Sequence, residues 1–143
     1  MHSELQSFPK QSFFFYLAQD IDEKVKDSIR DVISKLALSR GWSISPPEFV
    51  DEVDDAGEEV VGGVLEVYSA LPPNKLSREA DSRNLEEVEQ LIFYVKELSG
   101  RESLSFEFQL GSTYVGSIED GVIDRTLQDG LLNPWRDNLA RLP

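Results

Sequence analysis

Cysteine is absent from the 143 residues, and histidine and methionine occur once each, as His2 and Met1. Without cysteine there is no disulfide framework, no thiolate nucleophile and no Cys-based zinc site. A single terminal histidine leaves a His-based triad, a two-histidine metal site and a zincin helix without material. Neither G-x-x-x-x-G-K-[ST] nor G-x-G-x-x-G is present, and no serine stands in a G-x-S-x-G setting, so nucleotide cradling and serine nucleophile chemistry lack their motifs. The longest apolar run, Phe13 to Ala18, is far shorter than the roughly 20 residues that span a bilayer. Residues 1–10 carry Glu4 and Pro9 and no basic start followed by an apolar stretch. They read as a flexible end rather than a secretory signal, and a cytoplasmic location is expected.

Basic residues are scarce. Lys plus Arg number 14 against 27 Asp plus Glu, a net charge of −13. A field of that sign repels a polyanion, so DNA and RNA are excluded as expected ligands. The deficit is also uneven: from Gly41 to Asn74 there is no Lys or Arg, while Glu48, Asp51, Glu52, Asp54, Asp55, Glu58, Glu59 and Glu66 all fall there. Three readings of this segment compete. It is a solvated acidic turn, a calcium loop, or a docking surface for a basic partner. A calcium loop starting at Asp51 fails in detail, because Val53 stands at its third position, Ala56 where the obligatory glycine belongs, and no Glu at its twelfth. A docking surface needs an apolar anchor, for which Phe49 and Trp42 are the candidates; core packing is the competing role of each.

Hydrophobic period supplies the architecture. Ser12 to Ala18 is a continuous aromatic run, the pattern of a strand central in a sheet or covered on both faces. Asp20 with Glu23 has capping-box spacing, and Ile21, Val25, Ile29, Val32, Ile33 and Leu36 form an apolar helical stripe that Arg40-Gly41 closes. A short strand follows over Glu48 to Val53, with Phe49 and either Val50 or Val53 inward, then a turn at Asp54 to Gly57. Val60 to Leu71 reads as a long strand in which Gly62-Gly63 marks a bulge or a close backbone approach, ended by Pro72-Pro73. Asn74 to Arg83 reads as a loop. Asn84 with Glu87 repeats the capping-box spacing ahead of a second stripe, Leu85 to Leu98. Ser103 to Leu110 alternates strictly and pairs through Gly111-Ser112 with Thr113 to Ile118, placing Tyr114 and Ile118 on one side. Gly121 to Asp129 is expected as a short helix stopped by Gly130, and Asn133-Pro134 starts another with Trp135, Leu139 and Leu142 on one face.

The order strand, helix, strand, strand, helix, strand, strand predicts a single α+β domain over residues 1–143. The expected form is a ferredoxin-like split β-α-β sandwich: an antiparallel sheet of four to five strands, two long helices on one face, and a helical C-terminal extension over residues 119–143. In composition and architecture the chain resembles the immunity proteins of bacterial toxin systems, with no family motif matched residue by residue. That resemblance implies a non-enzymatic acidic inhibitor that neutralises a basic toxin or nuclease domain by placing carboxylates where the toxin expects phosphates. The expected partner-binding residues are Glu48, Phe49, Asp51, Glu52, Asp54, Asp55, Glu58 and Glu59, with no cofactor and a monomeric or homodimeric state. The alternative is a regulatory domain that binds a small ligand or a divalent metal and dimerises through its sheet.

Overall fold

A computed structural model describes residues 9–68 and 76–141. The chain forms β1 (Lys10–Leu17), α1 (Glu23–Leu38), β2 (Glu48–Val53), β3 (Glu59–Tyr68), α2 (Arg78–Glu102), β4 (Ser105–Leu110), β5 (Thr113–Glu119) and β6 (Val122–Ile123). A helical tail follows: α3 (Arg125–Leu127), a π-helical stretch (Gln128–Leu132) and α4 (Asn133–Arg141). The fold is α+β, with one six-stranded sheet in the order β2-β3-β1-β4-β5-β6 and every neighbouring pair antiparallel. Six strands exceed the expected four to five.

β1 is central, between β3 and β4, which accounts for its continuous aromatic run. Phe13, Phe15 and Leu17 face the helices and are buried, while Phe14 and Tyr16 face the other way and are half-buried. Opposite them Leu65 and Val61 of β3 and Phe106 and Phe108 of β4 complete the helix-side floor, onto which Ile29, Ile33 and Leu36 of α1 and Val88, Leu91 and Val95 of α2 pack. Phe15 meets Phe106 edge-on at 5.6 Å between ring centroids, a favoured aromatic geometry. Gly62-Gly63 causes no register shift on either side of β3, so the pair is no bulge. Gly63 provides the close approach instead: a Cβ there would lie 2.6 Å from Ile33 Cδ1 and 2.7 Å from Phe15 Cε1.

Several boundaries differ from the sequence expectation, each for a local reason. Asp22 rather than Asp20 caps α1, its Oδ1 accepting from Val25 N–H at 2.8 Å. Ser77 rather than Asn84 caps α2, so the helix begins inside the expected loop, with Leu76 buried just ahead of it. Asn84 and Glu87 then face inward from the body of the helix. The β4–β5 register shifts between Phe108 and Gln109, where Phe108 pairs with Gly116 and Gln109 with Tyr114. Val115 is the extra residue of that bulge. It puts Tyr114 on the open side of the sheet and Ile118 on the helix side, not together. The expected helix from Gly121 instead opens with a hairpin, because Asp120 and Gly121 take positive φ (47° and 77°), as the central pair of a type I′ turn requires. Gly130 does not stop the tail either. The π-helical turn runs through it, and Asn133 N–H donates to the Gln128 carbonyl, ahead of Pro134, which has no N–H to give. The end of the expected long strand, Pro72-Pro73 and Leu142 lie outside the described residues. No helix among the described residues is long and apolar enough to cross a membrane.

Candidate functional site

The helices cover one face of the sheet and leave the other open. Strand pairing places Phe14 and Tyr16 of β1, Val64 and Glu66 of β3, Glu107 and Gln109 of β4, and Glu48, Val50 and Glu52 of β2 on that open face. Phe14 and Tyr16 stack with ring centroids 5.5 Å apart, and Val64 sits beside Phe14 across the ladder. Around this half-buried apolar centre stand the carboxylates of Glu48, Glu52, Glu66, Glu107 and Glu119. Lys10 is the one basic strand residue on the same face among the described residues.

Two of these carboxylates are held in place. Ser12 Oγ donates to Glu66 Oε1 at 2.8 Å, and Tyr16 OH donates to Glu107 Oε1 at 2.9 Å. Fixing a carboxylate by a bond across strands lowers the entropy lost when a cation engages it. Burial, followed by the bond to Glu107 and its charge, pushes the Tyr16 phenol above its ordinary 10.0. Tyr16 therefore stays protonated and donating throughout the physiological range.

The eight residues expected from sequence to bind a partner divide between distinct surroundings. Glu48 and Glu52 lie on the open face, at the rim formed by edge strand β2. Asp51 and Glu59 lie on the helix side, where Lys26 Nζ of α1 stands 3.5 Å and 2.9 Å from them. The hydrogen-bonded Glu59, with Asp51 adding its charge, raises the Lys26 ammonium above its ordinary value. Phe49 is also on the helix side, packed against the core with the Arg30 guanidinium 4.8 Å from its ring centre. Asp54 organises the turn: its Oδ1 accepts from Ala56 N–H and Glu58 N–H, each at 2.9 Å. Asp55 and Glu58 are exposed at the hairpin tip. Trp42 packs against the core margin and donates from Nε1 to the Ala37 carbonyl at 3.1 Å.

Sequence reasoning missed Glu66 as part of a face, and it missed Phe14, Tyr16 and Glu107 altogether. The alternation of Ser103 to Leu110 already put Glu107 on the wet side. Joining it to Tyr16 and Glu66 required the strand order, which sequence period does not contain. Elsewhere, a groove of about 390 Å³ between α2 and the tail is flanked by Phe93, which is 53% exposed, and crossed by the Arg136–Glu89 ion pair. Among the described residues no group of three Asp, Glu or His side chains is placed to hold a metal ion. No protein-family model, curated protein or solved structure matches this chain.

Proposed function

We propose that the protein is a non-enzymatic acidic binding protein, most concretely an immunity or inhibitor protein that neutralises a basic toxin or nuclease domain. One observation carries the reading: an uncovered sheet face whose apolar centre, Phe14, Tyr16 and Val64, is ringed by Glu48, Glu52, Glu66, Glu107 and Glu119. Apolar anchors ringed by one sign of charge suit a partner with a basic surface, because the charges steer encounter and fix register while the centre supplies dry contact. The acidic segment from Glu48 to Glu59 contributes Glu48 and Glu52 to this surface. Its remaining carboxylates brace the hairpin or lie at its tip.

The same reading takes β1 to β4 as the ferredoxin-like split β-α-β arrangement, which the order β2-β3-β1-β4 with both long helices on one face supports. β5 and β6 then widen the open face. The test is coexpression with a basic toxin domain encoded beside this chain. Protection of the cells, together with a complex that weakens as salt rises, is expected. Absence of both protection and complex formation rejects the reading.

A further inference from the structure

The sheet has two edges, and they are treated differently. β6 is two residues long and pairs only with Ile118 and Glu119, while the rest of β5 carries the bulge at Val115 and has Leu127 seated at Gly116. That edge is therefore blunted by brevity, a bulge and the tail. β2 is six residues long and pairs in unbroken register with β3 from Glu48↔Val64 to Val53↔Glu59, with no strand among the described residues on its outer side. Edges are commonly protected by lysine, proline or a bulge within the strand. β2 has no lysine, proline or bulge within its span Glu-Phe-Val-Asp-Glu-Val. What guards it is the negative charge of Glu48, Asp51 and Glu52, which disfavours pairing with an acidic strand and leaves a basic one admissible.

The backbone direction follows from the hairpin. Asp54 N–H donates to the Glu58 carbonyl at 2.8 Å, closing the ladder, while Gly57 N–H donates to the Asp54 carbonyl at 3.0 Å. In an antiparallel ladder the bonded pairs alternate. The pairs involving Glu52, Val50 and Glu48 therefore bond inward to β3, and Phe49, Asp51 and Val53 turn their N–H and C=O groups outward. The side chains alternate with them: Glu48, Val50 and Glu52 on the open face, Phe49, Asp51 and Val53 on the helix side.

Resting on the reading of the protein as a binder of basic partners, we infer that it captures its partner by strand addition to β2. The added segment is extended, with Lys or Arg at i and i+4 opposite Glu48 and Glu52 and a small apolar residue at i+2 opposite Val50. Main-chain bonds to an edge supply affinity in this mode, and alternate side chains supply specificity. A second copy of β2 is the wrong occupant. Antiparallel pairing with both helix layers on one side sets Glu48 against Glu52 in one register and Asp51 against Asp51 in the next, and like charges directly opposite are destabilising. A strand with Lys or Arg opposite Glu48 and Glu52 turns the first of those repulsions into attraction, and a neutral residue opposite Asp51 removes the second.

The experiment uses the full chain and a capped peptide built on Lys-Thr-Val-Thr-Lys, followed by NMR titration at low salt with amide exchange. The expected result is slowed exchange at Phe49, Asp51 and Val53. N-methylation of the two Thr amides, which face β2, weakens binding about tenfold, as loss of one or two inter-strand bonds implies. N-methylation of the Val amide, which faces away, leaves it within about twofold, since it removes no such bond. Val53→Pro, which removes an outward donor and no carboxylate, weakens binding about tenfold while Val53→Thr does not. Absence of slowed exchange in β2 overturns the inference, as does equal binding by the two N-methylated peptides. Perturbation confined to Phe14, Tyr16 and Val64 also overturns it while leaving the binding of basic partners standing. A concentration-dependent dimer abolished by Val53→Pro overturns it in favour of a second copy.

Discussion

Glu87 is 2% exposed, and its Oε2 accepts from Ser43 N–H at 2.9 Å and Ser43 Oγ at 2.6 Å. It ties the loop before β2 to the middle of α2, so the start of the edge strand is anchored from the helix layer. Glu87→Ala leaves the Ser43 donors without their acceptor and is expected to cost about 1–3 kcal/mol in denaturant unfolding, whereas Glu87→Gln keeps an acceptor and costs less. Equal losses for the two substitutions contradict this account. Gly116 is a second fixed point, with φ at +140° and a Cβ position 2.5 Å from both Leu127 N and Leu127 Cβ. Gly116→Ala is expected to lower stability by about 1–3 kcal/mol from backbone strain alone, with the clash added to it. A melting temperature unchanged in that variant contradicts the direct seating of α3 on β5.

At the scale of elements, α4 docks on α2 through Trp135 Nε1, which donates to Asp81 Oδ1 at 2.9 Å. Burial raises the Asp81 carboxyl above its ordinary 3.8, and the Trp135 bond pulls the other way. The folded chain thus keeps this proton to higher pH than the unfolded chain, so stability falls as pH rises from 3.8 through the folded value. Asp81→Asn still accepts from Trp135 and removes that slope. Its unfolding free energy relative to the parent is expected to improve as pH rises across the window, as measured by urea titrations at several pH values. A relative stability independent of pH contradicts the assignment.

The elements also show how much was legible in the sequence. The stripes of α1 and α2 and the alternation of β4 were visible because burial on one face imposes a period. Spacing alone misassigned the caps: Asp20 and Asn84 fit the pattern, but Asp22 and Ser77 make the bonds. Asp120-Gly121 is a dipeptide that favours a two-residue hairpin turn, a signal that the expectation of a helix from Gly121 does not use. The bulge at Val115 was not legible, since one extra residue breaks the ladder without breaking the hydrophobic pattern. The acidic stretch was plain in the sequence, yet its division between open face, Lys26 clamp and turn depends on strand parity and on which helix lies over β2.

At the scale of the whole molecule, both helices and the tail cover one side of the sheet, and the other carries Glu48, Glu52, Glu66, Glu107 and Glu119 against Lys10 alone among the described strand residues. A complex formed through Glu48, Glu52, Glu66 and Glu107 is expected to weaken steadily between low and physiological salt through slower association, since screening acts on steering first. Stopped-flow mixing at several salt concentrations checks this. An association rate indifferent to salt contradicts an electrostatically steered interface.

The most direct measurement of the proposed function compares two charge-matched triple variants in binding to the basic toxin domain used for coexpression. Glu52→Gln, Glu66→Gln and Glu107→Gln remove three of the five open-face carboxylates while keeping acceptors for Ser12 and Tyr16. Glu79→Gln, Glu97→Gln and Asp137→Asn remove the same charge from exposed positions on the helices. The open-face variant is expected to lose about a hundredfold or more in affinity by calorimetry, the scale of a few partly desolvated charge pairs, and the helix-side variant less than about threefold. Equal losses in the two contradict the claim that the open sheet face is the binding surface.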